Sequence, residues 1–533
     1  MMRGQVSSAE LRWLLPASLA VLLFASLPTL YAWHLADADH LFTGFVYNSE
    51  DGNSYIAKMR LGAEGEWLFH LPYTPEEHRG ALVYTFYLLL GKIGASLGLS
   101  LVLTYHLARL LLGLFLLLTV YAFAARFTPD LAIRRLAWAL AAVGSGLGWL
   151  LMLLGLAPLL GALPLDFWVP EAFVFLVLYN LPHLALAEGL LLWALLWTLD
   201  SFEQGSALPL LKAGLAAAGM TLVVPFYAGV LAAALGATWL ALSLSRRRIL
   251  WRQAGQAALV GAWVAPPVAY NTWVFTTNPA FREWAAQNTI LSPHPLHYLL
   301  GYLPLLIPAI PGAVQVLRRR ERGWLLPLAW VLIVPLLLYV PFTLQRRMIA
   351  GVQVPLALLA ASGLVGWFRE RTRAWRTWLL AWAAVAALSN LLLVGLSLVE
   401  TGRRAMPAFR PAGEIAAIDH LARYAAPDEV VLSAYESGNL IPARARLRVF
   451  LGHGSETLHH QEKQEAVRRF FDPTADDRWR QGLLAQYHIA WVLHGPAERD
   501  LGAWDPATAP YLTRVYDEQG YALYRVLLLE SRP

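Results

Sequence analysis

The stretch Leu101–Ala125, LVLTYHLARLLLGLFLLLTVYAFAA, contains one charged residue in 25 positions. A second long run, Thr377–Val399, reads TWLLAWAAVAALSNLLLVGLSLV and contains no charged residue. A helix needs about 20 apolar residues to cross the ~30 Å hydrocarbon core of a bilayer. Both runs therefore predict membrane-spanning helices, and they set the fold class of the whole chain.

The composition of the 533 residues agrees with a membrane protein, since 57% are hydrophobic, 15% are charged and the mean hydropathy is +0.48. Soluble globular proteins carry about 25% charged residues. The chain has no cysteine, which excludes disulfides, thiolate metal sites and a cysteine nucleophile. We assign the net charge of +6 mainly to arginines at the cytoplasmic ends of spans, so it does not predict nucleic-acid binding.

Apolar runs continue along the first 400 residues and predict about eleven transmembrane helices. The first run is about 20 residues long, which exceeds the ~7–15 residues of a signal-peptide core, so we expect it to be retained as a span. The predicted spans lie near 13–33, 101–125, 136–154, 172–198, 209–223, 226–244, 254–275, 298–316, 324–342, 348–366 and 377–398.

Arginine clusters orient these spans, because loops rich in Lys and Arg stay in the cytoplasm. The rule predicts a cytoplasmic N-terminus and an extracytoplasmic C-terminal domain in a multi-pass protein of the cell (plasma or inner) membrane. Residues 81–99 are apolar but contain Lys92, and we expect an interfacial helix on the outer face or part of one bent crossing with 101–125. The clusters assigned to the cytoplasm are Arg3 and Arg12; Arg126, Arg134 and Arg135; Arg246, Arg247, Arg248 and Arg252; Arg318, Arg319, Arg320 and Arg322; and Arg369, Arg371, Arg373 and Arg376.

The last 130 residues follow a different pattern, in which short apolar strands alternate with amphipathic helices. Strands are predicted at 429–434, 447–451 and 489–493, helices at 411–424 and 459–471, and a hairpin at 511–527 around Asp517-Glu518-Gln519-Gly520. We therefore predict two domains, a transmembrane domain at 1–402 and a soluble extracytoplasmic α/β domain at 403–533.

The first outer loop, 34–80, is acidic, with eight Asp or Glu residues against three Lys or Arg. Glu50 and Asp51 are adjacent in it and precede an amphipathic helix. A carboxylate beside the membrane surface can act as a general base toward a hydroxyl. The alternative is that Asp51 is the N-cap of that helix, which is a common role for Asp.

Two further groups of polar residues are predicted on the outer side. Asp166 and Glu171, in a second acidic loop, could bind a divalent cation together with the first loop or remain solvated charges. Arg346 and Arg347 fall on the predicted outer side, against the rule that Lys and Arg stay in the cytoplasm. Their positive charge would be compensated either by an anionic ligand such as a lipid phosphate or by snorkelling of the side chains to lipid headgroups. His294 and His297 are a weak metal candidate.

Polar residues within the predicted span 172–198 indicate the wall of a cavity, because polar groups inside a membrane usually face the protein interior. We assign Asn180 and His183 to that wall, and Tyr55 from the first loop with them.

With these residues in place, the chain resembles the GT-C superfamily of membrane glycosyltransferases, which includes protein O-mannosyltransferases, aminoarabinose transferases and bacterial relatives of glycosyltransferase family 39. The resemblance lies in the single span before an acidic loop and in Arg346-Arg347 before a late span. It also rests on Asp51, Tyr55, Ala57 and Lys58 followed by Gly65-Glu66-Trp67, on Arg109, on Asp166 and Glu171, and on Ser437–Pro442, Phe450–His453 and Gly495–Arg499 in the tail.

The resemblance implies an inverting transfer of a hexosyl or pentosyl group from a polyprenyl-phosphate donor to a lipid, glycan or protein acceptor. Asp51, or Glu50, would be the base, Arg346 and Arg347 would hold the lipid phosphate, and Asp166 or Glu171 would orient the acceptor or a divalent cation. The alternative function is a lipid-glycan transporter or a membrane assembly protein without enzymatic activity, which would use the same arginines for carrier binding alone.

Overall fold

The computed structural model describes residues 6–319 and 321–527, so that Arg3 and Arg320 lie outside the described residues. Contacts divide the chain into two compact units. We call residues 1–27, 107–271 and 289–396 the first unit, and residues 28–106, 272–288 and 397–533 the second unit. The first outer loop therefore belongs to the same unit as the C-terminal segment. The domain boundary at 402 stays a prediction.

Helices fill the chain up to residue 402, and each predicted span coincides with one helix or with a pair of helices separated by a short break. The helices are α1 Ser8–Leu35, α2 Ser49–Ala63, α3 Thr85–Ser96, α4 Leu101–Phe127, α5 Leu131–Val143, α6 Gly148–Leu153, α7 Val174–Asn180, α8 Pro182–Gln204, α9 Ala207–Val223, α10 Tyr227–Ser245, α11 Trp251–Thr277, α12 Pro279–Gln287, α13 Pro295–Arg319, α14 Leu325–Leu337, α15 Gln353–Arg371, α16 Trp375–Ala386 and α17 Leu388–Gly402.

Fewer than eleven of these helices meet the length and composition of a membrane span. Among the described residues six do so, namely α1, α4, α8, α10, α13 and the segment Gln345–Arg371, and the pair α16 and α17, bent by 45°, would make a seventh. The predicted spans at 136–154, 209–223 and 324–342 contain helices of 13, 17 and 13 residues. The prediction of eleven spans is therefore not met by single long helices, because several apolar runs are interrupted by glycine or proline.

One such interruption separates α7 from α8 at Leu181-Pro182. Proline has no backbone N–H to continue the helix, so carbonyl groups of the preceding turn lose their partners. The buried Arg109 guanidinium satisfies two of them, since it donates to the carbonyls of Leu178 at 3.0 Å and Tyr179 at 3.4 Å. The break places Asn180 at the end of α7 and His183 in the first turn of α8.

The C-terminal part of the second unit is an α/β region, as predicted. Its five-stranded sheet has the order β4-β3-β5-β7-β6, with β4, β3 and β5 parallel and β5, β7 and β6 antiparallel. The hairpin turns at Gln519 and Gly520, whose φ angles of 51° and 80° suit the tight turn favoured between twisted strands. The elements are β1 His40–Phe42, β2 Phe409–Pro411, α18 Ala412–Tyr424, β3 Val430–Leu432, α19 Tyr435–Arg444, β4 Arg448–Val449, α20 His460–Phe471, α21 Asp477–Gln486, β5 Ile489–His494, α22 Pro496–Leu501, β6 Leu512–Glu518 and β7 Tyr521–Val526.

The carboxyl ends of β3 and β4 meet at one edge of the sheet, because the two strands are parallel. Tyr435 follows β3 there, and the loop Gly452-His453-Gly454 follows β4. The loop approaches α19 closely, since a Cβ on Gly452 would lie 2.5 Å from the carbonyl carbon and oxygen of Gly438. Ligands of open α/β sheets bind at this kind of edge.

Helices α2 and α3 pack against each other through glycines. A Cβ on Gly62 would lie 2.0 Å from the carbonyl oxygen of Leu88, and a Cβ on Gly91 would lie 1.8 Å from that of Met59. Helix α3 has 12 residues and is ~18 Å long at ~1.5 Å per residue. It is therefore too short to cross a membrane by itself, and a turn at Gly98, with φ +65°, separates it from α4.

Candidate functional site

The acidic pair of the first outer loop lies in the first turn of α2. Asn48 is the N-cap, with a left-handed backbone at φ 51°, and Asp51 is the third residue of the helix. The alternative that Asp51 caps the helix is therefore wrong, because the helix begins two residues before it. Asp51 instead accepts a hydrogen bond at Oδ2 from the side-chain amide of Asn48, at 2.5 Å. The helix dipole favours a negative charge at this position.

The other oxygen of Asp51 faces a histidine from the C-terminal segment. Oδ1 lies 3.3 Å from Nε2 of His453, whose side chain is 3% exposed, whereas that of Asp51 is 40% exposed. Burial by itself would raise the pKa of Asp51, but the hydrogen bond and charge of His453, the Asn48 amide and the charge of Lys58 lower it to about 2. Burial likewise opposes the charged form of His453, yet Asp51, Glu456 and Glu50 raise its pKa. The two groups stabilise each other's charged forms.

The Glu50 carboxylate is held by hydrogen bonds from the C-terminal segment. Its Oε1 accepts hydrogen bonds from the Tyr435 hydroxyl at 2.5 Å and from the Gly454 backbone N–H at 2.6 Å, and it lies 3.4 Å from Nδ1 of His453. Two short hydrogen bonds to one carboxylate oxygen fix its position. Glu50 therefore anchors the start of α2 to the sheet edge.

Further polar contacts fasten α2 to the C-terminal segment. The Lys58 ammonium is fully buried and pairs with Glu456 at 2.7 Å. Glu456 also accepts a hydrogen bond from the Ser54 hydroxyl at 2.6 Å. The amide of Asn53 donates to that of Asn439 at 2.8 Å. The helix that carries Asp51 is thus fixed to α19 through Asn439 and to the loop before α20 through Glu456.

Tyr55 lies one helical turn after Asp51, and residues at this spacing share a helix face. Its half-buried ring stacks on Tyr87, with centroids 4.5 Å apart and planes 12° apart, and is nearly parallel to Tyr105 at 6.2 Å. The assignment of Tyr55 to a cavity wall stays a prediction.

The predicted arginine pair lies in the first unit, in a 3₁₀ turn at Gln345–Ile349. The Arg346 guanidinium covers the ring of Trp168 at 4.2 Å, and that of Arg347 covers Phe226 at 4.9 Å. Arg347 Nε lies 3.6 Å from the buried carboxylate of Glu171, so part of the charge expected to need a ligand is compensated within the protein. For Arg346 the described residues offer no carboxylate within 4 Å.

Asp166, in contrast, is fully buried, and its carboxylate accepts hydrogen bonds from backbone N–H groups. Its Oδ2 accepts hydrogen bonds from the N–H groups of Gly146 at 2.9 Å and Gly148 at 3.1 Å, at the break between α5 and α6. Burial raises the pKa of Asp166, although the Ser389 hydroxyl and these backbone donors oppose that rise. Roles for Asp166 and Glu171 toward an acceptor or a metal stay predictions.

A metal site does not emerge from the side chains. In residues 6–319 and 321–527, no group of three or more His, Asp or Glu side chains has the arrangement needed to hold a metal ion. His297 instead contacts the Leu160 carbonyl through Nε2 at 3.1 Å, and His294 Nδ1 accepts from the Leu296 N–H.

Sequence reasoning missed His453, Tyr435 and Glu456 as partners of the acidic helix. They lie nearly 400 residues further along the chain, and no local spacing relates them to Asp51. The available signal was the position of Tyr435 and of Gly452-His453-Gly454 directly after two predicted strands.

Solved structures of known proteins share this fold at low sequence identity. No protein-family profile matches the chain, and no curated protein matches it in sequence. The oligosaccharyltransferase of Archaeoglobus fulgidus in the apo form aligns over 97% of this chain and 75% of its own, with TM-score 0.51 and 14% identity. The same archaeal enzyme, AglB, in complex with an inhibitory peptide and a dolichol-phosphate, aligns over 99% of this chain and 75% of its own, with TM-score 0.52 and 13% identity.

The arabinofuranosyltransferase AftD from Mycobacteria aligns over 99% of this chain, with TM-score 0.56 and 15% identity, and this chain spans 40% of AftD. At these identities the likeness concerns the fold. The chain therefore shares the fold of these two glycosyltransferases, as its resemblance to the GT-C superfamily of membrane glycosyltransferases leads us to expect.

Proposed function

We propose that this protein is a membrane glycosyltransferase that moves a sugar from a polyprenyl-phosphate carrier to a hydroxyl group of a lipid, glycan or protein at the outer face of the membrane. The fold supports the enzyme class. The archaeal neighbour was solved with a dolichol-phosphate, which supports a lipid-linked donor, and another of its structures holds an acceptor peptide.

Asp51 is the general base of the proposed reaction. The acceptor oxygen forms a bond to the anomeric carbon while the bond from that carbon to the phosphate oxygen of the carrier breaks, and the hydroxyl proton passes to Asp51. The lowered pKa keeps Asp51 ionised at neutral pH, and the hydroxyl becomes acidic enough to give up its proton to such a carboxylate as the new bond forms. A single displacement of this kind inverts the anomeric centre.

Arg346 and Arg347 bind the lipid phosphate. The phosphate gains one negative charge when the sugar leaves, and a guanidinium stabilises that charge through paired N–H donors. The two arginines are held flat on aromatic rings, which keeps them preorganised, and Arg346 has the less compensated charge.

The observation that carries the proposal is the difference in how the two adjacent carboxylates are held, since the side chains of Glu50 and Asp51 are equally open, at 39% and 40% exposed. Asp51 is oriented by two side chains, whereas the hydrogen bonds of Glu50 hold it against the sheet edge. We therefore assign the base to Asp51 and the anchor to Glu50.

The test is transfer of radiolabelled sugar from polyprenyl-phosphate donors to a panel of membrane lipids and glycans, with wild type compared with Asp51→Asn. We expect kcat to fall by ~10²–10⁴ while donor binding is retained. Glu50→Gln is the matched control, since it keeps an acceptor oxygen for Tyr435 and should cost much less. Donor binding by wild type without transfer to any acceptor would favour a carrier-binding transporter or assembly protein instead.

A further inference from the structure

We propose that His453 is a positioning residue for Asp51, holding the carboxylate in the orientation from which it takes the proton of the acceptor. The inference rests on the proposed function, and it gives the C-terminal segment a direct part in the reaction. It is carried by contacts within the second unit alone.

The hydrogen bonds of the imidazole determine which nitrogen carries the proton. Nδ1 lies 3.2 Å from the backbone nitrogen of Ser455 and 3.3 Å from that of Glu456, and both of these N–H groups donate to it. A ring nitrogen that accepts hydrogen bonds has no proton of its own, so the neutral ring carries its proton on Nε2. Nε2 is therefore the donor of the pair, and Asp51 Oδ1 is the acceptor at 3.3 Å.

This distance lies just beyond the usual N–H···O range of about 2.7–3.2 Å, and within the described residues the buried Nε2 has no hydrogen-bond partner of normal geometry. Catalytic hydrogen bonds in structures without substrate are often long and shorten when substrate binds. A buried N–H whose nearest carboxylate is half-exposed is suited to hold that carboxylate without blocking it.

The loop that carries His453 is itself fixed. The Thr457 hydroxyl accepts hydrogen bonds from the N–H groups of Gly452 at 3.3 Å and His453 at 3.1 Å, which closes the turn. From α12 and the residue after it, the side-chain amides of Gln287 and Asn288 donate to the carbonyl of Ser455 at 3.2 Å and 2.8 Å. The ring also packs on Tyr73, with centroids 5.3 Å apart. Preorganisation of this kind is required when an error of ~1 Å can cost ~10²-fold in rate.

Two amide substitutions separate positioning from simple packing. In His453→Gln the side-chain nitrogen can occupy the place of Nε2, whereas in His453→Asn it can occupy only the place of Nδ1. We expect the Gln variant to keep most of the wild-type kcat and the Asn variant to lose up to ~10²-fold in kcat. The KM for donor should change in neither variant, because the carboxylate acts in the chemical step.

Equal losses of kcat in the two variants, or a loss confined to KM, would overturn the assignment. A double-mutant cycle of Asp51→Asn and His453→Asn, read as the midpoint of thermal unfolding in detergent, tests the contact without any activity. Non-additive shifts would support the pair, and additive shifts would refute it. Coupling in that cycle with no transfer by wild type would reject the proposed function while retaining the contact.

Discussion

Replacing Glu456 by glutamine removes one charge of a buried ion pair in the second unit. Lys58 Nζ is fully buried and lies 2.7 Å from the Glu456 carboxylate, which is 7% exposed. Aromatic rings surround the ammonium, with the Tyr84 and Phe69 centroids 4.6 Å and 5.3 Å away. The substitution would therefore leave a positive charge with hydrogen-bonding and aromatic partners but without its counterion.

Breaking a buried pair on one side costs about 3–5 kcal/mol, because the remaining charge has lost its compensation. The rings around Lys58 contribute about 0.5–2 kcal/mol of cation–π attraction with or without Glu456, so they do not reduce this cost. We expect the free energy of unfolding of the second unit to fall by about 3–5 kcal/mol in Glu456→Gln. The double variant Lys58→Met with Glu456→Gln should recover most of the loss, as no charge is then left unpaired.

Pulse proteolysis of the detergent-solubilised protein across a urea series measures this change, because cleavage follows the population of the opened form. Glu465→Gln is the matched control. It makes the same substitution in the pair of Glu465 with Arg468, whose side chains are 64% and 66% exposed, and should leave the midpoint unchanged. A Glu456→Gln protein as resistant as this control would refute the argument that the ion pair holds α2 in place, and so would a double variant no more stable than the single one.

Three further outcomes are expected. Gly452→Ala should destabilise the second unit by about 1–3 kcal/mol in the same assay, because the added Cβ would lie 2.5 Å from backbone atoms of Gly438. The control Gly482→Ala lies on an open face of α21 and should be neutral or stabilising by up to ~1 kcal/mol. The stability difference between wild type and His453→Gln should be largest below the ordinary histidine pKa of ~6.5 and should shrink as pH rises through the raised pKa of His453. The contribution of Asp51, whose pKa is about 2, is lost only as pH falls toward that value. Urea midpoints at pH 5.5, 7 and 8.5 test the loss expected as pH rises. Arg346→Lys should raise the KM for a polyprenyl-phosphate donor and lower kcat, because lysine loses the planar donor geometry that binds the phosphate and stabilises the charge it gains as the sugar leaves. Unchanged KM and kcat would contradict phosphate binding.

Local patterns predicted the elements of the fold well. Apolar runs predicted where α1, α4 and α13 lie, and the alternation of the tail predicted its strands and the turn at Gln519-Gly520. These features depend on the preferences of residues close together in sequence. Composition does not reveal where Asp166 and neighbouring glycines break a helix, so the interruption of the apolar run 136–154 was not predicted.

The site was only half predictable, for a related reason. Asp51 and Arg346 are unusual in their local surroundings, so each could be recognised without its partners. The contacts of Asp51 with His453 and of Glu50 with Tyr435 join residues about 400 positions apart, and those of Arg347 with Glu171 join residues more than 170 apart. Only tertiary structure brings such pairs together, and it also corrected the N-cap from Asp51 to Asn48.

The attachment of α2 to the tail has a consequence for biogenesis. Lys58 leaves the ribosome 398 residues before Glu456, which corresponds to roughly 20–80 s at ~5–20 residues per second. During that interval the helix bearing Asp51 lacks the counterion of Lys58, the sheet edge that holds Glu50 and the histidine that faces Asp51. The acidic helix can therefore reach its final arrangement only after the last segment has been synthesised, so a chain stopped before Glu456 would have α2 without the contacts that fix Glu50 and Asp51.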